Sequence, residues 1–139
     1  MKVLITGGAG FIGTEVCRLL IGKSNVQVFN VDCLTYAANL NCVAEFSTKD
    51  NYIFEEGNIR DSVMVTRLLD SFAPDSVMHL AAESHVDRSI DDSSIFMKTN
   101  VLGTQVLLDC VLKYWRKLDL EKRTNFRFLH VSTDEVYAI

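Results

Sequence analysis

The segment Lys2-Val3-Leu4-Ile5-Thr6-Gly7-Gly8-Ala9-Gly10-Phe11-Ile12-Gly13 passes from a short apolar run into a glycine-rich turn. Apolar residues then recur at helical spacing as far as Leu20, so the glycines lie between a predicted strand and a predicted helix. The turn contains Gly-x-Gly-x-x-Gly at positions 8, 10 and 13 and Gly-x-x-Gly-x-x-Gly at positions 7, 10 and 13. Glycines in this context permit a tight turn, close approach of a pyrophosphate to the backbone, and close packing of helix on strand, which is typical of dinucleotide-binding folds.

Asp32 lies 19 residues after Gly13, at the end of the next predicted strand, residues 26–31. An acid there accepts hydrogen bonds from a ribose diol and repels the 2′-phosphate of NADP, and the neighbouring Cys33 and Leu34 offer no cation for that phosphate. The pattern therefore predicts an NAD site with Gly7, Gly10, Gly13 and Asp32. In the alternative reading, the glycines only tighten the turn and Asp32 is a solvated acid. A nucleoside-triphosphate loop is excluded because no Gly-Lys-Ser/Thr follows.

The rest of the chain alternates short β-rich runs with helical patterns. Strands are predicted at residues 52–55, 76–80 and 126–131, and helices at residues 63–72, capped by Asp61 or Ser62, and at residues 99–116. This alternation predicts a Rossmann-type α/β fold, a doubly wound parallel sheet. We expect one NAD-binding domain over residues 1–139, truncated after the fifth strand, because parallel sheets of this kind usually continue.

The composition excludes several classes of protein. Of the 139 residues, 14 are basic and 18 acidic, and the absence of a dense basic cluster argues against a nucleic-acid or membrane-surface protein. No apolar run approaches the ~18 residues of a membrane span, and the N-terminus does not resemble a signal peptide, so we expect a cytoplasmic protein. The four cysteines lack Cys-x-x-Cys spacing, so we expect neither a metal site nor a disulfide framework.

Three histidines and one apolar helix are less specific. His79 and His130 lie within predicted strands, where packed and hydrogen-bonded side chains are the expectation, whereas His85 follows a strand and is a candidate for a substrate pocket. The helix from Thr99 has more apolar surface than one sheet face requires, which indicates a dimer contact. The apolar residues concerned are Val101, Leu107, Leu108, Val111, Leu112 and Trp115.

Further motifs, taken with the glycine turn and Asp32, resemble the extended short-chain dehydrogenase/reductase family. They are Leu34-Thr35-Tyr36-Ala37, Ala81-Ala82-Glu83-Ser84-His85-Val86-Asp87-Arg88-Ser89, Thr99-Asn100 and Ser132-Thr133-Asp134-Glu135-Val136-Tyr137. Within that family the sequence is most similar to the N-terminal part of the dTDP-glucose 4,6-dehydratases, and the resemblance covers the whole chain.

The resemblance implies a set of site residues. Residues lining the NAD site would be Phe11, Ile12, Asp32, Leu34, Thr35, Asn58, Ile59, Leu80, Ala81, Ala82 and Thr99. Ser84, Arg88 and Thr133 would face the sugar nucleotide. The catalytic residues would be Thr133, Asp134 and Glu135, with Asp134 the acid and Glu135 the base of a water elimination. The implied reaction converts dTDP-glucose to dTDP-4-keto-6-deoxy-glucose by internal hydride transfer, in a homodimer.

Three positions depart from the family pattern: Ala38 and Ala138 each stand where the family has a glycine, and Asn58 replaces an acid. Asn58 stands where the family has an acid that meets the adenine amino group; its acceptor oxygen predicts weaker contact rather than none. The family's Tyr-x-x-x-Lys pair, which deprotonates the sugar hydroxyl, does not occur in the sequence, so we expect no turnover by this chain alone.

Alternatives remain at this point. Ser132 and Glu135 also have the spacing of a helix-capping box, so the segment could simply start a helix. A sugar-nucleotide 4-epimerase, a dehydratase of another nucleotide sugar and a redox-inert NAD-binding module are the other functions compatible with the sequence.

Overall fold

The computed structural model describes residues 1–84 and 93–133. Within these residues the strands are β1 (Lys2–Thr6), β2 (Gln27–Asp32), β3 (Tyr52–Glu56), β4 (Ser76–His79) and β5 (Arg127–His130). They form one sheet in the order β3-β2-β1-β4-β5, and every neighbouring pair is parallel. The predicted doubly wound sheet is confirmed. The strand limits differ from the predicted ones by a residue at some ends.

Five helices connect the strands within the described residues: α1 (Phe11–Ile21), α2 (Leu40–Phe46), α3 (Ser62–Phe72), α4 (Ser93–Lys117) and α5 (Leu120–Asn125). Asp61, one of the two residues predicted as the cap of this helix, is the N-cap of α3. The sequence reasoning missed α2 and α5. Both are short, α2 buries only Phe46 and α5 buries no residue, so neither shows an amphipathic pattern.

Helix α4 is longer than predicted. Its described part begins at Ser93 rather than Thr99, and its middle section, Met97–Gly103, is π-helical. A π-helical turn inserts extra residues and shifts the apolar spacing away from 3.6 residues per turn. The shift explains why periodicity alone placed the helix start too late.

Two apolar layers cover the sheet. Leu4 points into the layer formed with α3 and α4, whereas Val3 and Ile5 point into the layer formed with α1 and α2, as side chains of a strand alternate. The first layer includes Val65, Leu68, Leu69, Phe72, Leu107, Val111 and Tyr114, and the second includes Cys17, Val28, Phe46 and Tyr52. A parallel sheet buried on both faces explains the continuous apolar runs of β1 and β2.

Contrary to the sequence expectation, α4 is long and apolar enough, by length and composition, to cross a membrane. One such helix is weak evidence, because the core helix of a soluble protein meets the same criteria. Leu107 and Val111 of α4 pack in the core, whereas Val101, Leu108 and Leu112 of the same helix are 48, 45 and 42% exposed. The helix therefore has one buried face and a second, exposed apolar stripe.

Candidate functional site

A cleft opens at the carboxyl ends of the central strands. The chain leaves β1 for one face of the sheet and reaches β4 from the other, so this edge is the topological switch point where open α/β sheets bind ligands. The lining residues come from the loops after β1, β2, β3 and β4 and from α4. They are Gly7, Gly10, Val31, Asp32, Cys33, Thr35, Ala37, Ala38, Gly57, Asn58, Ile59, Leu80, Ala81, Ala82, Glu83 and Thr99.

The glycines of the turn have different roles. Gly7 has φ +78°, and a Cβ there would lie 2.4 Å from the backbone nitrogen of Ala81. A Cβ at Gly13 would lie 2.1 Å from the carbonyl oxygen of Gly7. Both positions need glycine for the fold itself. At Gly10 a Cβ would meet only the Gly7 oxygen, at 3.4 Å, so Gly10 leaves room on the cleft side for a ligand to approach the backbone.

The N-terminus of α1 lies at this turn. Its N-cap is Gly10, and no side chain among the described residues caps it. Thr14 donates its N–H to the Gly10 oxygen at 2.8 Å, so the amides of Phe11, Ile12 and Gly13 precede the first intrahelical hydrogen bond. Unpaired amides and the positive end of the helix dipole favour an anion. The turn therefore has the chemistry of a phosphate-binding site.

Asp32 ends β2 beside the turn. One carboxylate oxygen accepts the N–H of Ala9 and the other accepts the N–H of Leu34, each at 2.9 Å. A carboxylate oxygen can accept about two hydrogen bonds, so each oxygen retains capacity for a hydroxyl. Leu34 adopts φ +50° in making this contact. The arrangement holds the Asp32 carboxylate at the cleft, in position to accept hydrogen bonds from a diol.

Asn58 lies in the loop after β3, and its acceptor oxygen is already used. Oδ1 accepts the backbone N–H of Arg60 at 3.0 Å and the Nε–H of Arg60 at 3.2 Å. Two donors occupy both lone pairs of an amide oxygen. The contact of Asn58 with adenine stays a prediction, and in this conformation Arg60 engages the acceptor oxygen that the contact would use.

The π-helical section of α4 forms the opposite wall. Thr99 lines the cleft, and Asn100 both accepts the backbone N–H of Glu83 and donates to the Glu83 oxygen, each at 2.8 Å. A Cβ at Gly103 would lie 2.9 Å from the Ile59 side chain, so glycine allows α4 to approach the loop after β3. These contacts join the loops after β3 and β4 to a single helix.

His79 links β1 to α4 from within the sheet. Its Nδ1 lies 2.7 Å from the Thr6 hydroxyl and its Nε2 lies 2.9 Å from the Thr104 hydroxyl. Burial, and secondarily the charge of His130, lower the pKa of His79 to about 4. His79 is thus the packed, hydrogen-bonded residue expected. His130 stacks on His79 and is exposed on β5, so the expectation that His130 is packed and hydrogen-bonded stays a prediction.

The family model described as GDP-mannose 4,6 dehydratase matches residues 4–138. The chain belongs to this family. A dTDP-glucose 4,6-dehydratase of Salmonella typhimurium is 53% identical over 138 residues, which are 99% of this chain and 38% of the relative. The chain therefore spans well under half the length of that relative. The resemblance inferred from the sequence is confirmed.

Solved structures of the family extend the comparison to the fold. DesIV, a dTDP-glucose 4,6-dehydratase from Streptomyces venezuelae with NAD and TYD bound, has a TM-score of 0.84 and 41% identity, over 99% of this chain and 41% of DesIV. A UDP-glucose 4-epimerase from Brucella ovis in complex with NAD has a TM-score of 0.79 and 28% identity, over 99% of this chain and 37% of the epimerase. Both the dehydratase and the epimerase have this N-terminal fold.

The cleft brings together most of the expected cofactor-binding residues. Those lining the cleft are Gly7, Gly10, Asp32, Thr35, Asn58, Ile59, Leu80, Ala81, Ala82 and Thr99. The side chains of Phe11 and Ile12 are 91 and 58% exposed and do not line it; their backbone amides lie in the first turn of α1. Gly13 packs against the turn, and Leu34 contributes its amide to Asp32.

Of the expected substrate and catalytic residues, Ser84 and Thr133 are within the described part of the chain. Ser84 and Thr133 are exposed beyond β4 and β5, respectively, and neither lines the cleft. His85, Arg88, Asp134 and Glu135 lie outside the described residues. Within the described residues no three His, Cys, Asp or Glu side chains group closely enough to hold a metal ion, and the four cysteines form no disulfide.

The sequence reasoning missed two polar residues beneath the turn, Asn30 and Tyr52. Asn30 accepts the N–H of Gly8 and donates to the hydroxyl of Tyr52. The available signal was a single amide in the middle of an otherwise apolar strand, because such a residue needs buried partners.

Proposed function

We propose that the cleft binds NAD. The pyrophosphate would accept hydrogen bonds from the amides of Phe11, Ile12 and Gly13, and the adenosine ribose would donate to Asp32. The observation that carries the proposal is the combination at one switch point of an uncapped helix N-terminus, an unobstructed Gly10 and the Asp32 carboxylate. The DesIV dehydratase and the Brucella ovis epimerase, both with NAD bound, support it.

We further propose that the chain forms the N-terminal part of a dTDP-glucose 4,6-dehydratase. Bound NAD would supply reversible hydride acceptance. Glu135 would remove the proton at C5 of the sugar, Asp134 would protonate the departing C6 hydroxyl, and Thr133 would contact the substrate. The 53% identity to the Salmonella typhimurium dehydratase supports this choice over the epimerase, whose Brucella ovis representative is 28% identical.

Two further properties belong to this proposal. The exposed stripe of Val101, Leu108 and Leu112 on α4 would pair with the same stripe of a second copy, giving a homodimer. The protein would act in the cytoplasm on a soluble sugar nucleotide, without nucleic-acid or membrane partners, consistent with its net charge of -4.

A chimera tests the proposed reaction. Residues 1–139 replace the matching N-terminal part of the Salmonella typhimurium dehydratase, and the product is assayed with dTDP-glucose in deuterated solvent. The unmodified chimera should form a 4-keto-6-deoxy sugar. Glu135→Gln should abolish both deuterium exchange at C5 and the elimination of water. Asp134→Asn should retain the exchange but slow the elimination, because an amide cannot protonate the leaving hydroxyl.

Two outcomes would overturn this assignment. One is a sugar inverted at C4 with no deuterium at C5, which is the result for a 4-epimerase. The other is normal dehydration by Glu135→Gln. The 139-residue chain alone, which has no Tyr-x-x-x-Lys pair, serves as the control and should show no turnover.

A further inference from the structure

Asn30 is a buried amide in the middle of β2. None of its surface is exposed, and its neighbours Phe29 and Val31 are buried apolar residues. Burying an amide is unfavourable unless its polar atoms find partners. Here Oδ1 accepts the N–H of Gly8 at 3.0 Å and Nδ2 donates to the hydroxyl oxygen of Tyr52 at 2.9 Å. Both ends of the side chain are therefore engaged.

The partners allow only one orientation of the amide. The backbone N–H of Gly8 can only donate, so it requires the oxygen of Asn30 and leaves the nitrogen for Tyr52. Tyr52 is itself held, because its ring packs edge-on to Phe46 with centroids 5.6 Å apart. The Tyr52 hydroxyl is neutral near neutral pH, its pKa being raised further by burial, to about 12, and its oxygen accepts the hydrogen bond from Asn30.

Gly8 fits closely against this side chain. A Cβ at Gly8 would lie 2.2 Å from Oδ1 of Asn30, so no larger residue could occupy the position while Asn30 remains. On the other side, the thiol of Cys17 approaches the Gly8 oxygen at 3.8 Å. The Gly8 backbone is thus held at its nitrogen and its oxygen by buried side chains, two residues before the N-cap Gly10.

We propose that Asn30 is a positioning residue for the phosphate-binding turn and acts through the Gly8 amide. The inference rests on the proposed binding of NAD. Asn30 does not line the cleft and so reaches the ligand only through the turn. A pyrophosphate depends directly on the position of the turn, whereas adenosine, which has no phosphate, depends on the turn only through the Ala9 N–H that Asp32 accepts. Asn30 therefore affects the affinity for NAD much more than the affinity for adenosine.

The test compares the binding of NAD and of adenosine to the same variants by NMR titration, which follows both ligands on the same backbone amides. Asn30→Leu keeps the side-chain size but leaves the Gly8 N–H without its acceptor. The dissociation constant for NAD should rise about tenfold and that for adenosine should change less than about twofold. Tyr52→Phe removes one hydroxyl from a folded core and should raise the NAD constant by about threefold, again sparing adenosine.

Val28→Ala is the matched control, since Val28 is equally buried on the same face of β2 and makes its contacts in the apolar layer under α1. It should lower thermal stability and leave the ratio of the two affinities unchanged. A ratio unchanged in Asn30→Leu and Tyr52→Phe, or shifted equally by Val28→Ala, would overturn the positioning role. If the unmodified chain binds adenosine and NAD equally weakly, the proposed phosphate site itself is wrong. Hydrogen exchange of the Gly8 amide, measured without ligand, distinguishes failure of the positioning role from failure of the phosphate site. The positioning role requires slow exchange at Gly8 in the unmodified chain and faster exchange in Asn30→Leu.

Discussion

Gly10 and Gly13 provide a sharp test of which glycines serve the fold and which serve a ligand. Gly10 has φ −74° and ψ 175°, which any residue adopts, and a Cβ there meets one atom at 3.4 Å. In Gly10→Ala, the lower entropy of the unfolded chain offsets the weaker N-cap, so the free energy of unfolding should change by less than about 1 kcal/mol. In Gly13→Ala, the new Cβ would lie 2.1 Å from the Gly7 oxygen and 2.7 Å from the Gly8 Cα. Since backbone atoms cannot easily yield, this variant should lose about 3 kcal/mol or more.

Although Gly10→Ala should leave stability nearly unchanged, it should weaken the binding of NAD. The methyl group of Gly10→Ala occupies the cleft side of the turn, where the pyrophosphate would approach, and loss of one charge-assisted hydrogen bond corresponds to about 10–100-fold in affinity. Urea denaturation and calorimetric titration with NAD measure the two quantities on each variant. The reasoning would be refuted if Gly10→Ala bound NAD as tightly as the unmodified chain. It would be refuted equally if Gly10→Ala were as unstable as Gly13→Ala.

Three other substitutions test separate features of the site. Asp32→Asn removes the charge that repels a 2′-phosphate, so the preference for NAD over NADP should narrow by about tenfold in parallel titrations, and an unchanged ratio would mean that Asp32 does not face the ribose. Asn58→Asp restores a second acceptor oxygen while Arg60 still occupies the first, so it should increase the preference for NAD over nicotinamide hypoxanthine dinucleotide by about fivefold; no change would mean that the base lies elsewhere. Because the pKa of His79 is lowered to about 4 from 6.5, the unfolded chain binds the proton first. Stability should be full above about pH 6.5 and should fall toward pH 4 by up to about 3 kcal/mol, and in urea denaturation His79→Gln should flatten this slope relative to the unmodified chain.

The alternation of strand and helix patterns along the whole chain was sufficient to predict the sheet. The order of strand, turn, helix and acid within residues 2–32 indicated its dinucleotide-binding edge. It was also sufficient to place Asp32 and Gly10 at one cleft, since parallel strands bring their carboxyl ends to the same edge. The saturation of Asn58 by Arg60 could not be predicted, because it depends on the conformation of one loop.

Long-range contacts account for the other differences. The position of Asn30 in an apolar strand indicates that its side chain has buried partners. That these partners are Gly8 and Tyr52 depends on the register of β2 against β3 and on where the glycine turn lies. The π-helical section of α4 was hidden for a related reason, because its apolar residues do not repeat at the spacing of an α-helix.

The central claim is that NAD binds at the carboxyl ends of β1 and β2, and amide chemical shifts measured during an NAD titration test it most directly. The largest shifts should occur at Phe11, Ile12 and Gly13 and in the loop of residues 57–59. Adenosine should reproduce the shifts of residues 57–59 without those of the helix N-terminus. The account would be contradicted if NAD left the amides of Phe11 to Gly13 unchanged, or if the shifts clustered at the opposite end of the sheet, around Lys2 and Asp75.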